Sequence, residues 1–89
     1  MDPIRIPIED VLDLHTFHPR DIPRLIEDYI EECLRLRFLS VRIIHGKGTG
    51  AQKMRVQELL RRNPNVRSFK NAPAEAGGWG ATIVELQRG

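Results

Sequence analysis

The feature that most restricts the fold is the apolar segment LSVRII at residues 39–44, which runs directly into the glycine-rich stretch HGKGTG at residues 45–50. A short apolar run bounded by glycines is typical of a buried strand. Residues 51–63 follow with apolar side chains at helical spacing and end at Asn63-Pro64, a pair that stops a helix. The sequence therefore predicts a strand, a tight glycine turn and a helix in immediate succession.

A second strand and helix precede this unit. Residues 11–15 alternate apolar and polar side chains and predict a strand, and Asp21 is placed to cap a helix with Pro23 in its first turn. Apolar residues in that helix recur at 3.6-residue spacing: Leu25, Ile26, Tyr29, Ile30, Cys33 and Leu34. Residues 66–69 and 81–86 predict two further strands, which gives the order βαβαββ.

This order predicts a two-layer α/β sandwich with one four-stranded mixed sheet. Because strand–helix–strand units join parallel strands by right-handed crossovers, we expect the first three strands to pair in parallel. Both helices then cover one face of the sheet and leave the other face partly open. The last two strands, separated by a long loop, are expected to form an antiparallel hairpin.

The length of the chain, 89 residues, indicates a single domain. Residues 1–10 contain two prolines and no clear period, so we predict an extended lead-in followed by one domain at residues 11–89. No apolar run is long enough to span a membrane, and the first residues lack a signal-peptide pattern, which favours a cytoplasmic protein. The single cysteine excludes an internal disulfide and leaves no zinc-binding spacing. No long apolar patch is evident, so we expect a monomer.

The net charge of +2 conceals a strong asymmetry along the chain. Residues 1–34 contain nine acidic and three basic residues, whereas residues 35–70 contain ten basic residues and one acidic residue. Two solvated helix faces of opposite sign would account for a modest imbalance of this kind. An excess of nine positive charges in so short a segment instead favours a basic surface for an anionic partner.

Titratable residues are predicted to gather where the first two strands end. Neighbouring parallel strands meet at the carboxyl edge of the sheet, which is the usual ligand edge of open α/β folds. Asp13 and His15 are two residues apart and so should leave the same sheet face, close to His45 and Lys47. Taken singly, Asp13 could cap a turn and His15 could form a local hydrogen bond. Their expected convergence favours a functional site.

The glycine loop does not match the consensus sequence of a known nucleotide-binding motif. A Walker A motif requires the lysine after its last glycine, and the dinucleotide fingerprint requires GxGxxG rather than the GxGxG spacing of this chain. Glycine amides at the start of a helix nevertheless form a good anion site. We therefore predict that one phosphate of a polymer backbone binds the residues of this loop: Gly46, Lys47, Gly48, Thr49 and Gly50.

Trp79 lies in the sequence GGWG, where it predicts either a lid over the sheet edge or a platform on which a base stacks. The lid is favoured, since one tryptophan between glycines is weak evidence for stacking. The basic residues expected to contact nucleic acid, or else to keep the domain soluble, are Lys53, Arg55, Arg62, Arg67 and Lys70.

Three motifs give the chain a resemblance to the small MutS-related (Smr) domain family, over about residues 11–86. They are LDLH at residues 12–15, IIHGKGTG at residues 43–50 and GGWGATIVEL at residues 77–86. The resemblance implies a βαβαββ sandwich similar to the C-terminal domain of bacterial translation initiation factor three. It further implies a domain at the end of a longer MutS-like protein or a standalone protein. In the family a glycine commonly follows LDLH, whereas this chain has Thr16, so we expect the turn there to differ.

Family members of this kind include proteins that nick DNA or cleave RNA, some of them on stalled ribosomes. The resemblance therefore implies a nucleic-acid-binding domain with endonuclease activity, in which Asp13, His15 and the segment His45 to Gly48 form the site. The alternative is a non-catalytic nucleic-acid or ribosome-binding module that uses the same loop as an anchor. A protein that binds a small anion or a nucleotide is less favoured, because the sequence of the loop does not match a nucleotide-binding motif.

The residue types at this edge favour acid–base chemistry. Only one carboxylate, Asp13, is expected there, which argues against a dedicated two-metal centre but leaves room for a loosely bound divalent ion. We therefore predict no required cofactor. Either His15 or His45 would transfer a proton while an RNA 2′-hydroxyl attacks the adjacent phosphate, and Lys47 would stabilise the developing charge.

Overall fold

The computed structural model describes residues 10–87, so the predicted lead-in before Asp10 lies outside the described residues. The sheet and its helices are built from β1 (Val11–Asp13), α1 (Ile22–Arg35), β2 (Ser40–Ile44), α2 (Ala51–Arg62), β3 (Val66–Asn71) and β4 (Ala81–Leu86). Short 3₁₀ turns lie at Pro19–Asp21, Ala74–Ala76 and Gly78–Gly80. The predicted βαβαββ order is confirmed.

The strands lie in the order β1-β2-β4-β3. β1 and β2 pair in parallel, and β4 pairs antiparallel with both β2 and β3, so the expected β3–β4 hairpin is present. The expectation that β3 pairs with β2 was wrong, because β4 lies between them. The reason is composition: β4 is the most buried strand and takes a position with partners on both sides, whereas the polar strand β3 suits a charged edge.

Alternation along the strands separates a buried face from an open face. Val41 and Ile43 of β2 pack into one core with residues of both helices, among them Ile30 and Val56, while Arg42 and Ile44 point to the other side and stay partly exposed. The sandwich therefore has two layers, as predicted, with both helices on one face of the sheet.

Cys33 lies in this core, and burial raises the pKa of its thiol. It is therefore a small buried apolar residue, as its place on the helix stripe indicated. Within residues 10–87, neither helix has the length and apolar character needed to cross a bilayer.

Candidate functional site

Five elements of the fold begin or end at one edge of the sheet. Asp13, the last residue of β1, is in register with Ile44, the last residue of β2, and the Leu14 amide donates to the Ile44 carbonyl over 2.9 Å. Ile44 is in turn opposite Ala81, where β4 begins, so this edge also receives the end of β3 and the start of α2. The LDLH and HGKGTG segments therefore leave the sheet side by side, as expected.

Asp13 and His15 are both exposed at the end of β1. The Asp13 carboxylate accepts a hydrogen bond from the His15 amide over 2.9 Å, and the Phe17 amide donates to the Leu14 carbonyl over 3.1 Å, which closes the turn. Among residues 10–87, Arg37 is the one non-glycine residue with positive φ, so Thr16 forms this turn without the left-handed backbone that favours glycine. Asp13 thereby fixes the main chain that carries the His15 ring.

His45 lies on the helix side of the sheet, with only 9% of its surface exposed. Its Nδ1 is 3.0 Å from the Gly46 carbonyl oxygen, which can only accept, so Nδ1 carries the proton. Burial lowers the pKa of His45, and the nearby Lys53 charge acts in the same direction, so the ring is neutral near pH 7. Nε2 must then accept from the Thr82 hydroxyl over 2.9 Å.

The side chains of Asp13 and His45 consequently lie on opposite faces of the sheet. The cause is again strand alternation, because Asp13 is in register with Ile44 and His45 is one residue further on. The main chains of the two motifs meet at the expected edge, but the four titratable side chains do not form one cluster.

The glycine loop is held by the turn that precedes β4. One carbonyl, that of Gly80, accepts from the His45 amide over 3.0 Å and from the Gly46 amide over 2.9 Å. Gly46 and Gly50 have φ of 84° and 88°, a backbone that other residues rarely adopt, and Gly50 directly precedes α2.

Several amides around this loop have no acceptor within residues 10–87: those of Lys47, Gly48, Thr49, Gln52 and Lys53. Unpartnered amides at a helix N-terminus, with the exposed Lys47 beside them, provide the features of an anion site.

Lys53, which was expected to contact nucleic acid or to keep the domain soluble, is only 6% exposed. Its Nζ lies 3.1 Å from the centroid of the Trp79 ring, so the ring faces the ammonium group as a cation–π partner. Trp79 itself is 58% exposed. Lys53 is therefore buried because Trp79, which lies two residues before β4 begins, covers its head group.

The family assignment follows from comparison with known proteins. The Smr domain family matches residues 12–87 of the chain. The chain belongs to the Smr domain family. Over 76 residues, or 85% of the chain, this Smr domain is 50% identical to Endonuclease MutS2 of Lactobacillus johnsonii. It is 40% identical over 80 residues, or 90% of the chain, to Endonuclease MutS2 of Halalkalibacterium halodurans. Each match spans 10% of the relative, so the chain covers about a tenth of their length.

Solved Smr structures have the same fold as this domain. The Smr domain of Thermus thermophilus MutS2 superimposes with a TM-score of 0.81 at 36% identity, covering 86% of this chain and 96% of that chain. YdaL, a stand-alone small MutS-related protein from Escherichia coli, gives a TM-score of 0.82 at 25% identity and covers 91% and 66% of the two chains. The resemblance in the motifs is thus confirmed for the family and for the fold.

The basic residues of this Smr domain are spread over more than one region. Lys70 lies near the ligand edge, opposite Ile83, while Arg55 is exposed on α2. Arg62 ends α2, where it bonds Glu58 over 3.1 Å, and Arg67 lies near the start of β3, at the other end of the sheet. The structure therefore brings Lys47, Lys53 and Lys70 to the edge with the glycine loop, but not Arg62 or Arg67.

Sequence reasoning missed a row of polar side chains behind the loop. The Gln57 Nε2 donates to Thr82 Oγ1 over 3.2 Å and to Asn71 Oδ1 over 3.3 Å, which extends the His45–Thr82 hydrogen bond into a network. Thr82 could have been recognised from the sequence, because it alternates with Val84 and Leu86 and is therefore expected to be a buried polar residue that needs a hydrogen-bond partner. No comparable signal marked Gln57 or Asn71.

The part of the chain described here contains no group of three His, Cys, Asp or Glu side chains placed to hold a metal ion. The prediction that no cofactor is required is not tested by this observation and stays a prediction.

The His45 network makes the stability of the domain sensitive to acid. Because the pKa of His45 is lower in the folded state than its usual 6.5, the unfolded chain binds the extra proton more readily as pH falls below 6.5. We expect the melting temperature to fall between pH 7.5 and pH 5.5, and to fall less in His45→Gln, whose amide does not titrate. The measurement is thermal unfolding of both proteins across this range. Parallel curves would contradict a buried neutral His45.

Proposed function

We propose that this Smr domain binds nucleic acid and cleaves it internally, with one backbone phosphate held by the residues from Gly46 to Gly50. The observation that carries the proposal is the row of unpartnered amides at the start of α2, beside Lys47. The net charge of +9 over residues 35–70 supports an anionic partner, and the name Endonuclease MutS2 of the relatives supports cleavage.

The contacts of the two histidines support different roles for them. The His15 ring has no hydrogen-bond partner within residues 10–87, is exposed, and is carried by a turn that Asp13 fixes. We therefore assign proton transfer to His15. Both nitrogens of His45 are engaged and its ring is neutral, so we assign it the role of holding Gly46 and the loop in place. Lys47 would stabilise the charge on the phosphate in the transition state.

Acid–base chemistry of this kind favours RNA as the substrate. The 2′-oxygen of a ribose attacks the adjacent phosphorus, the bond from phosphorus to the 5′-oxygen breaks, and a 2′,3′-cyclic phosphate forms. His15 takes the proton from the 2′-hydroxyl, and the departing 5′-oxygen takes one from water. DNA has no 2′-hydroxyl, so nicking DNA would require an activated water and would be aided by a loosely bound divalent ion.

One observation supports the alternative function, a non-catalytic module that binds nucleic acid or the ribosome. The Asp13 carboxylate and the His45 ring each bond to main chain, which is what structural residues would do. A cleavage assay separates the two functions. We expect the protein to cleave single-stranded RNA in EDTA and to leave the same strand intact when its riboses are replaced by deoxyriboses. If the protein binds RNA but cleaves none with or without divalent metals, the binding module is the correct function.

Lys47→Ala tests phosphate binding directly. We expect this change to weaken RNA binding at low salt and to reduce the steepness of the salt dependence by roughly 0.7 per lost phosphate contact on a single strand. Arg62→Ala is the matched control, because Arg62 is exposed at the far end of α2 and should have a smaller effect. The measurement is fluorescence anisotropy of a labelled RNA in a salt series. Equal effects of the two changes, or affinity independent of salt, would contradict the loop as the anchor.

A further inference from the structure

A cleft lies next to the glycine loop, between α2 and the turn that carries Trp79. Its volume is about 360 Å³, which is within the range of small-ligand sites, and it is lined by Thr49, Gly50, Met54, Gln57, Asn71 and Trp79, with Lys53 also part of its wall. Thr49 and Gly50 belong both to this cleft and to the loop proposed to hold a phosphate. A ligand with its phosphate on the loop would therefore extend directly into the cleft.

The cleft is lined by the aromatic ring of Trp79, one face of which is covered by the ammonium group of Lys53. The Lys53 ammonium lies 3.1 Å from the Trp79 ring centroid, yet the ring remains 58% exposed, so the opposite face is open. Met54 is exposed beside it. A flat apolar surface of this kind is what a nucleobase stacks on in proteins that bind single strands.

The cleft also carries amide groups, those of Gln57 and Asn71, whose orientation is fixed by the hydrogen-bond network behind the loop. Because the Gly46 carbonyl accepts from His45 and His45 accepts from the Thr82 hydroxyl, the Thr82 oxygen must accept from Gln57. Gln57 then donates to Asn71 Oδ1 as well. The atoms left without a partner in the described chain are Gln57 Oε1, an acceptor, and Asn71 Nδ2, a donor.

We propose that this cleft binds one unpaired nucleobase, stacked on Trp79, of a strand whose phosphate lies on the glycine loop. Each base has a donor next to an acceptor on its Watson–Crick edge, which matches Gln57 Oε1 and Asn71 Nδ2. In a duplex that edge is paired and both faces of the base are stacked, so only an unpaired or extruded base can enter. The inference rests on the proposed phosphate binding and adds a substrate class to it: single-stranded segments rather than continuous duplex.

Trp79 is the only tryptophan of the chain, so its fluorescence reports directly on the cleft. The test is a titration with a short single-stranded RNA and with a strand of the same number of phosphates in which every nucleotide is abasic. We expect the base-carrying strand to quench Trp79 and to bind about 5- to 150-fold more tightly. The abasic strand should bind through its phosphates alone, without quenching, and a fully paired duplex should also fail to quench.

Variants separate stacking from a general loss of structure. Trp79→Ala should bind both strands with the weak affinity of the abasic strand, whereas Trp79→Phe, which keeps a ring over Lys53, should retain part of the difference. Leu39→Ala removes an exposed apolar side chain at the other end of β2 and should leave both affinities unchanged. Melting temperatures of all variants establish that they are folded.

The outcomes distinguish base binding in the cleft from phosphate binding on the glycine loop. Equal affinity for the two strands without quenching would overturn the base cleft and leave phosphate binding intact. Binding of neither strand at low salt would overturn the phosphate loop on which the inference rests. Equal quenching by single strand and duplex would overturn the restriction to unpaired bases.

Discussion

Replacing His15 by alanine is expected to lower the rate of RNA cleavage by about 100- to 10,000-fold while leaving RNA affinity nearly unchanged. The side chain is exposed, its ring has no hydrogen-bond partner within residues 10–87, and its main chain is fixed by Asp13, so the imidazole is available for proton transfer. Its removal takes away the proton acceptor but none of the loop amides that would hold the phosphate.

The measurement is single-turnover cleavage of a labelled RNA together with an independent affinity determination. His18→Ala is a matched control, since His18 is an exposed histidine three residues further on whose Nδ1 accepts the Arg20 amide. We expect it to cleave at close to the rate of the unaltered protein. Identical purification of each protein guards against contaminating ribonuclease. Cleavage that survives His15→Ala would remove His15 from the chemistry.

Ile43→Ala is expected to lower the free energy of unfolding by about 2–5 kcal/mol, a large part of the stability of a domain this size. Ile43 is fully buried in β2, two residues before the segment that forms the loop, and packs in the core shared with both helices. Truncation there removes apolar contacts and leaves a cavity that neighbouring strands cannot fill.

Ile44→Ala provides the comparison within the same strand. Ile44 is the same residue type one position along, but it faces the open side of the sheet and is only partly buried. We expect a distinctly smaller loss, measured by urea unfolding of both variants. Equal losses would show that the second face of the sheet is covered as well as the first.

The elements of the fold followed from local patterns, whereas their pairing did not. Alternation and helical spacing marked the strands and helices because each pattern reflects which side of one segment is buried. The insertion of β4 between β2 and β3 depends instead on which of the two later strands is more apolar. The apolar strand β4 takes the central position and the polar strand β3 takes the edge. This comparison between distant segments cannot be made from the pattern of either segment alone.

The location of the candidate site was predictable from the sequence, whereas the directions of its side chains were not. The edge at which LDLH and HGKGTG meet followed from parallel pairing of β1 and β2. The inward direction of His45 followed from alternation along β2 but was not expected, because the histidine was taken to belong to the loop. The burial of Lys53 depends on Trp79, which comes from a distant turn, so helical spacing alone could not show it.

The Gly80 carbonyl, which accepts two hydrogen bonds, connects the two halves of the proposed ligand site, namely the glycine loop and the turn that carries Trp79. It holds the main chain of His45 and Gly46, and a side chain in place of Gly80 would approach the Lys47 Cγ to 3.2 Å. Trp79 is the residue immediately before it, so a movement of the main chain of this turn would displace the Trp79 ring and the glycine loop together. We therefore expect the affinities for phosphate and for base to depend on each other.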